Sequence, residues 1–301
     1  MISRLYLYMV LLLPVCFVCY RPAIAQECTV YSIPSPLGIN WKSPKGMLFS
    51  YLKNIFVRSR YKKNKHPIGH MMIELKDSTR HIIAGTCADN EGDMRKYVLR
   101  YGYGLGILFT SVNGKLEEND INEPQVTQRC KTGDIAFITY KTSQPVFDRM
   151  WQYLQEYKQK GYHLSYNGLN KPREGLGAGC SAFALSFLEV GGLDSLLPVQ
   201  EWQVKVRVPG RLLGGGKLFG RSVQFFKLLL AGHWASKEGG AGRDLMLYEP
   251  TKLYNWIMNK HNTLQTDSPV KTKKGSAPGL VIDCSKLPPP DEPIWNDNRH
   301  H

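Results

Sequence analysis

A glycine-rich run, Gly175-Leu176-Gly177-Ala178-Gly179, delivers Cys180 to the first position of an amphipathic helix that reaches Val190 and stops at Gly191-Gly192. The helix must bury Phe183, Phe187 and Val190 against another element, and the glycine pair ends it by supplying a left-handed turn. Unpaired amides and the positive end of the helix dipole favour a thiolate over a thiol, which predicts a lowered pKa for Cys180. The glycines predict a backbone that a substrate approaches closely, with the Cys180 N–H as an oxyanion donor.

The rest of the chain supplies a sheet and further helices for that packing. Ile68 to Leu75 and Arg80 to Thr86 are β-compatible runs on either side of Lys76-Asp77-Ser78-Thr79, the pattern of a hairpin. Asp134 to Tyr140 reads as a third strand and Trp202 to Val208 as a later one. Val146 to Lys160 predicts a helix with Phe147, Met150, Trp151, Leu154 and Tyr157 on one face and Gly161 as its stop. That aromatic stripe is core. Leu245 to Lys260 suggests another helix around Leu253, Trp256 and Ile257. The fold class expected is α+β, an antiparallel sheet packed against the Cys180 helix, within a domain of residues 65–260. Residues 26–64 read as an irregular and basic N-terminal segment. Residues 261–301 read as a polar tail with Lys271 to Lys274 and Pro288-Pro289-Pro290, largely extended or mobile.

Residues 1–25 combine Arg4, an apolar run from Leu5 to Tyr20 and Ala23-Ile24-Ala25, the pattern of a cleavable secretory signal peptide. The run is too short for a spanning helix and contains Pro14. A secreted or periplasmic chain is therefore expected. Removal of the leader leaves Cys28, Cys87, Cys130, Cys180 and Cys284, an odd number where disulfides form, so one thiol is left over and Cys180 is the candidate. The 39 Lys and Arg against 25 Asp and Glu give a net charge of +14, or +12 without Arg4 and Arg21. An anionic partner follows: a cell-wall polymer or peptide substrate, with membrane-surface contact as a further expectation. The leader argues against nucleic acid.

His70 interrupts the apolar strand Gly69-His70-Met71-Met72-Ile73-Glu74-Leu75 and offers a rigid base for a helix-borne thiol. Gly69-His70 leading an apolar strand, a polar turn, a second strand bearing His81, and a Cys-Ser-x-Phe helix start about 100 residues later resembles the circularly permuted papain-like cysteine hydrolases. That group contains the permuted NlpC-type proteins and the lecithin-retinol acyltransferase-like enzymes. The resemblance covers about Lys65 to Gly192. It implies Cys180 as nucleophile, His70 as general base and a polar third residue, His81, orienting the imidazole. It also implies an acyl-enzyme that cleaves an amide in cell-wall peptide or, as the alternative, hydrolyses or transfers lipid acyl groups. A non-catalytic surface-binding module, with Cys180 buried or bridged, is the reading from another class.

With the turn centred between Asp77 and Ser78, Glu74 faces His81 and His70 faces Gly85, which separates His81 from His70 by roughly 13 Å. A bulge or a shifted turn is needed to bring them together, and pairing with His81 or Arg80 is the simpler role for Glu74. Tyr166 and Asn167 stand where a side chain folds over the cysteine, with loop packing as their simpler role. His66, His163, His233 and His261 show no metal-ligand spacing, and no metal or other cofactor is expected. Ser59-Arg60-Tyr61-Lys62, Ser111-Val112-Asn113 and Lys131-Thr132-Gly133 follow the order of the penicillin-recognising serine motifs, but Asn113 and Lys131 stand too close together for that fold. Gly214-Gly215-Gly216-Lys217 lacks the spacing of a phosphate loop.

Overall fold

Apolar runs with both faces buried assemble into one eight-stranded sheet, seen in a computed structural model that describes residues 26–61, 66–90, 96–236, 241–264 and 269–296. The leader and Lys62, Lys63 and Lys65 lie outside the described residues. The strands of this sheet are β1 (Gln26–Ile33), β2 (His70–Lys76), β3 (His81–Ala88), β4 (Val112–Glu117), β5 (Ala136–Thr142), β6 (Ser165–Tyr166), β9 (Val270–Lys274) and β10 (Ala277–Cys284). Their spatial order is β6-β4-β3-β2-β1-β5-β10-β9, antiparallel throughout except for the β5–β10 pair. The chain is of mixed α+β type.

Helices cover both sides of this sheet, so its central strands carry apolar residues on both faces. On one side Val30, Met71, Ile73, Leu75, Ile138 and Leu280 meet α3 (Gln144–Gln159), α4 (Cys180–Val190) and the long helix Pro250–Thr263. On the other side Tyr31, Ile33, Met72, Ile83 and Phe137 meet Val126 and Cys130 of α2 (Asn119–Thr132). A second apolar cluster joins α1 (Pro44–Tyr61) to the hairpin of β7 (Gln203–Pro209) and β8 (Gly242–Tyr248), the short helix Phe225–Leu229 and the turn Leu105–Phe109.

The α3 and α4 helices and the β5 and β7 strands stand where the periodicity places them, with α4 spanning Cys180–Val190. Five expectations need correction. Gln26–Ile33, read as part of an irregular lead-in, is the central strand of the sheet, because Cys28 and Val30 enter one core while Tyr31 and Ile33 enter the other. Residues 44–61 of the segment read as irregular and basic form helix α1, whose Met47 and Leu48 are buried. Leu245 lies in β8, and the helix expected from it begins only at Pro250, with Glu249 accepting the Lys252 N–H as its cap.

The tail is also ordered and packed. Its β10 strand pairs in parallel with β5, from Gly279 opposite Phe137 to Cys284 opposite Thr142. The residues beyond it strap across α3. Buried Arg173 donates to the Ile294 and Pro293 carbonyls at 3.0 and 2.6 Å and pairs with Glu292 at 3.1 Å, while the Trp295 ring packs against Tyr153 and Tyr162. Pro and Lys composition gave no sign of this, because the order comes from distant partners.

The hairpin forms with its turn one residue later than expected. The Asp77 carboxylate accepts the Thr79 and Arg80 N–H groups at 2.8 and 2.6 Å, and the Asp77 N–H donates to the Arg80 carbonyl. This Asx-type closure sets Lys76 opposite His81 and Glu74 opposite Ile83.

Candidate active site

Cys180 opens α4 behind Gly179, whose extended backbone is the N-cap. The glycine approach is held by the protein itself. The Ala178 N–H donates to the Ser165 carbonyl at 3.2 Å and the Gly179 N–H to the Asn167 carbonyl at 2.7 Å. A Cβ on Gly177 would overlap the Ser165 carbonyl, and one on Gly179 would press on Gly168 at 2.6 Å. The glycines therefore admit the loop of residues 165–168 against the cysteine, the close approach that had been expected of a substrate.

Cys180 is 7% exposed. Burial pushes it up. The Met71 backbone amide, the Ser181 hydroxyl and backbone, and the Tyr166 phenol all favour the thiolate, yet the group stays above its ordinary value. This corrects the expectation of a lowered pKa: loss of water costs the thiolate more than the helix start and its donors return. The phenol of Tyr166 adjoins both the thiol and the Cys180 backbone N–H, so a side chain does fold over the cysteine. Asn167 serves the loop, its Oδ1 accepting the Leu169 N–H at 2.9 Å.

His70 is not at this site. It opens β2 and is 3% exposed, and a Cβ on Gly85 would lie 3.0 Å from its Nε2 and 3.0 Å from the Met72 Cγ. His70 thus shares the α2 side of the sheet with Met72. Met71, whose side chain points the other way, is the residue that meets the Cys180 thiol and the α4 core. The pairing of His70 with Cys180 fails by strand alternation: the imidazole is one residue, and hence one face, away. Its ring stacks on His66 at 4.1 Å, and among the described residues Nε2 has no hydrogen-bond partner. Burial, with Arg129 of α2 adding to it, pushes the imidazole down to about 4.

His81 is likewise placed elsewhere. Its Nε2 meets Glu74 Oε1 at 2.8 Å, so the Glu74–His81 pairing holds, by a diagonal contact that the shifted turn creates. Tyr31 donates to Glu74 Oε2 at 2.7 Å, and Lys274 from β9 donates to the Tyr31 hydroxyl at 2.6 Å and to Glu74 Oε2 at 3.0 Å. Burial works to raise the Glu74 carboxyl, but Lys274, Tyr31 and His81 together hold it below its usual value. This is a structural network on the α2 side, and it leaves His81 no role in orienting His70.

Cys28, Cys87, Cys130, Cys180 and Cys284 are all free thiols, so the two bridges allowed by their number are not formed. Burial pushes Cys28 and Cys87 up to about 12 and Cys284 to about 11. Among the described residues no group of three or more His, Cys, Asp and Glu side chains could hold a metal.

Sequence reasoning missed the cavity on which Cys180 opens. It measures about 330 Å³, a size suited to a small ligand, and it runs between α4, α1, the Leu105–Phe109 turn and the β7–β8 hairpin. Leu48, Leu105, Leu108, Leu228, Leu245 and Leu247 form much of its wall, with Cys180, Ser181 and Tyr166 among its few polar groups. The spacing of Met47, Leu48, Tyr51 and Ile55 in α1 carried a signal for its buried face, but Phe49, Leu52 and Phe56 blurred it by adding apolar residues to the exposed one. Comparison with protein-family models, with curated proteins and with solved structures finds no match for this chain.

Proposed function

We propose that this protein takes an apolar acyl chain into the cavity and presents its ester carbonyl to Cys180, acting as a thiol-dependent acyl hydrolase or acyltransferase. The single observation that carries this reading is that Cys180, a cysteine at a helix start, lines an almost wholly apolar cavity. Apolar walls accept a hydrocarbon chain and leave a charged muropeptide without partners for its polar groups. The lipid reading therefore comes ahead of the cell-wall one.

In the proposed step the Cys180 sulfur bonds to the carbonyl carbon and the ester C–O bond breaks. The thiol proton passes by way of the adjoining Tyr166 phenol to the departing alkoxide, and water or an acceptor alcohol then resolves the thioester and restores the thiol. The resting group is the protonated thiol, so proton removal belongs to the attack itself. A helix-start cysteine packed on a sheet whose histidine strand comes earlier in the chain also supports a permuted papain-like arrangement, with Tyr166 in place of His70 beside the sulfur. The leader would direct this activity outside the cytoplasm.

One observation favours a second reading. A buried thiol with no imidazole beside it among the described residues suits an acyl-chain carrier that performs no turnover. Incubation of the mature chain with p-nitrophenyl acetate, octanoate and palmitate, followed by intact-mass analysis, separates the two. Chain-length-dependent release with an acyl adduct on Cys180, both lost in Cys180→Ala, supports the enzyme. Saturable palmitate binding without adduct supports the carrier, and equal indifference to all three esters with turnover of muropeptides removes both.

A further inference from the structure

We propose that the mouth of the cavity docks on an anionic lipid bilayer, with α1 lying along the membrane surface; this rests on the acyl-chain reading and names where the chain comes from. The exposed face of α1 carries Lys45, Phe49, Leu52, Lys53 and Phe56 at three- and four-residue spacings, opposite buried Met47, Leu48 and Asn54. A helix with apolar and basic side chains mixed on its outer face suits the boundary between headgroups and acyl chains. Phe56 is 63% exposed.

The apolar surface continues from α1 into the cavity. Leu52, Ile68 and Leu99 are exposed to solvent and also line the cavity, so the outer patch and the inner wall share residues. Across the mouth, the helix Phe225–Leu229 sends Phe225 and Leu228 inward, while Phe226 and Leu230 stand exposed beside it. An acyl chain leaving a bilayer here would reach Cys180 without crossing water. Isolated exposed apolar residues need no explanation, but a ring of them around an apolar cavity does.

Charge selects the partner. Between Glu27 and Glu74 the sequence has eight Lys or Arg and no Asp or Glu. Lipid phosphates complement that segment, whereas a second copy would set two basic faces against each other. The Lys45 ammonium already lies 5.8 Å from the Phe49 ring centroid, its stem along the apolar face and its charge free to meet a phosphate.

Co-sedimentation of the full mature chain with phosphatidylcholine vesicles, with and without phosphatidylglycerol, tests the proposal. The chain should pellet with the phosphatidylglycerol vesicles and detach as salt rises. Binding should fall about tenfold or more in Lys45→Glu/Lys53→Glu and in Phe56→Ser/Leu230→Ser. None of these four residues lines the cavity, so uptake of a fluorescent fatty acid in vesicle-free solution should stay unchanged in both variants. Equal pelleting with both vesicle types, no pelleting, or a dimer in sedimentation velocity that Phe56→Ser/Leu230→Ser breaks would overturn docking. Vesicle binding without fatty-acid uptake would uphold docking and remove the acyl-chain reading alone.

Discussion

His70 and Cys180 stand on opposite faces of the central sheet, separated by the backbone of Met71, whose amide meets the thiol while the His70 ring lies over Gly85. One residue of strand alternation, His70 against Met71, sets them apart. Everything expected of a Cys–His pair therefore has to be replaced by what a buried thiol beside a phenol can do.

Alkylation of Cys180 should be slow at neutral pH and rise only in the alkaline range, because the thiol sits above its ordinary value. His70→Asn should leave that profile unmoved, and Tyr166→Phe should shift it further up by removing a donor to the thiolate. Peptide-resolved mass spectrometry after timed iodoacetamide labelling across pH 6 to 10 reads both. A profile that collapses in His70→Asn would show that the imidazole reaches the thiol.

His70 should make the fold acid-sensitive. Its imidazole is pushed down to about 4, against an unfolded value near 6.5, so the folded state binds fewer protons between these limits. The neutral imidazole's contribution is fully present above pH ~6.5 and is lost as pH falls toward about 4, amounting to roughly 3 kcal/mol across the window. Arg129 of α2 and the stacked His66 face it and add no counter-charge. Urea unfolding at pH 7 and pH 4.5 should show a steeper loss in the natural chain than in His70→Phe.

The parts of this architecture that sequence made legible are those whose periodicity comes from one face. The stripe from Phe147 to Tyr157 and the helix from Cys180 to Val190 each bury residues in one core and were readable. The strand from His70 to Lys76 is buried on both faces, so alternation separates His70 from Met71 but cannot say which set the cysteine helix covers. Helix α2 hid because its buried positions include Asn122 and Arg129 and it contains Pro124. Strand β10 hid because Ala277-Pro278-Gly279 carries turn-forming residues, and pairing with β9 on one side and β5 on the other makes it a strand.

Glu74 should be a stability residue with no effect on Cys180 chemistry. Glu74→Gln keeps the shape but removes the charge shared by Lys274, His81 and Tyr31, which should cost about 2 to 4 kcal/mol at pH 7. Because the carboxyl is held below its usual value, this contribution is present above pH ~4.5 and lost as pH falls through the depressed value. The gap between the natural chain and Glu74→Gln in urea midpoint should therefore narrow at acid pH, while the Cys180 labelling rate at pH 7 stays the same.

Gly177 should be irreplaceable where Gly168 is not. Gly177 has φ +79°, and a Cβ there would overlap the Ser165 carbonyl, a backbone atom fixed by the Ala178 N–H. Gly177→Ala therefore strains the loop and displaces residues 165–168 from the cysteine, at a cost of about 2 kcal/mol. A Cβ on Gly168 meets nothing within 4 Å, so Gly168→Ala should change stability by less than about 0.5 kcal/mol. The same displacement moves Tyr166 off the thiol, so Gly177→Ala should also speed Cys180 labelling as water reaches the sulfur. A lowered urea midpoint with unchanged labelling would place the strain away from the cysteine, and an unchanged midpoint would mean that the loop yields without holding Cys180 in place.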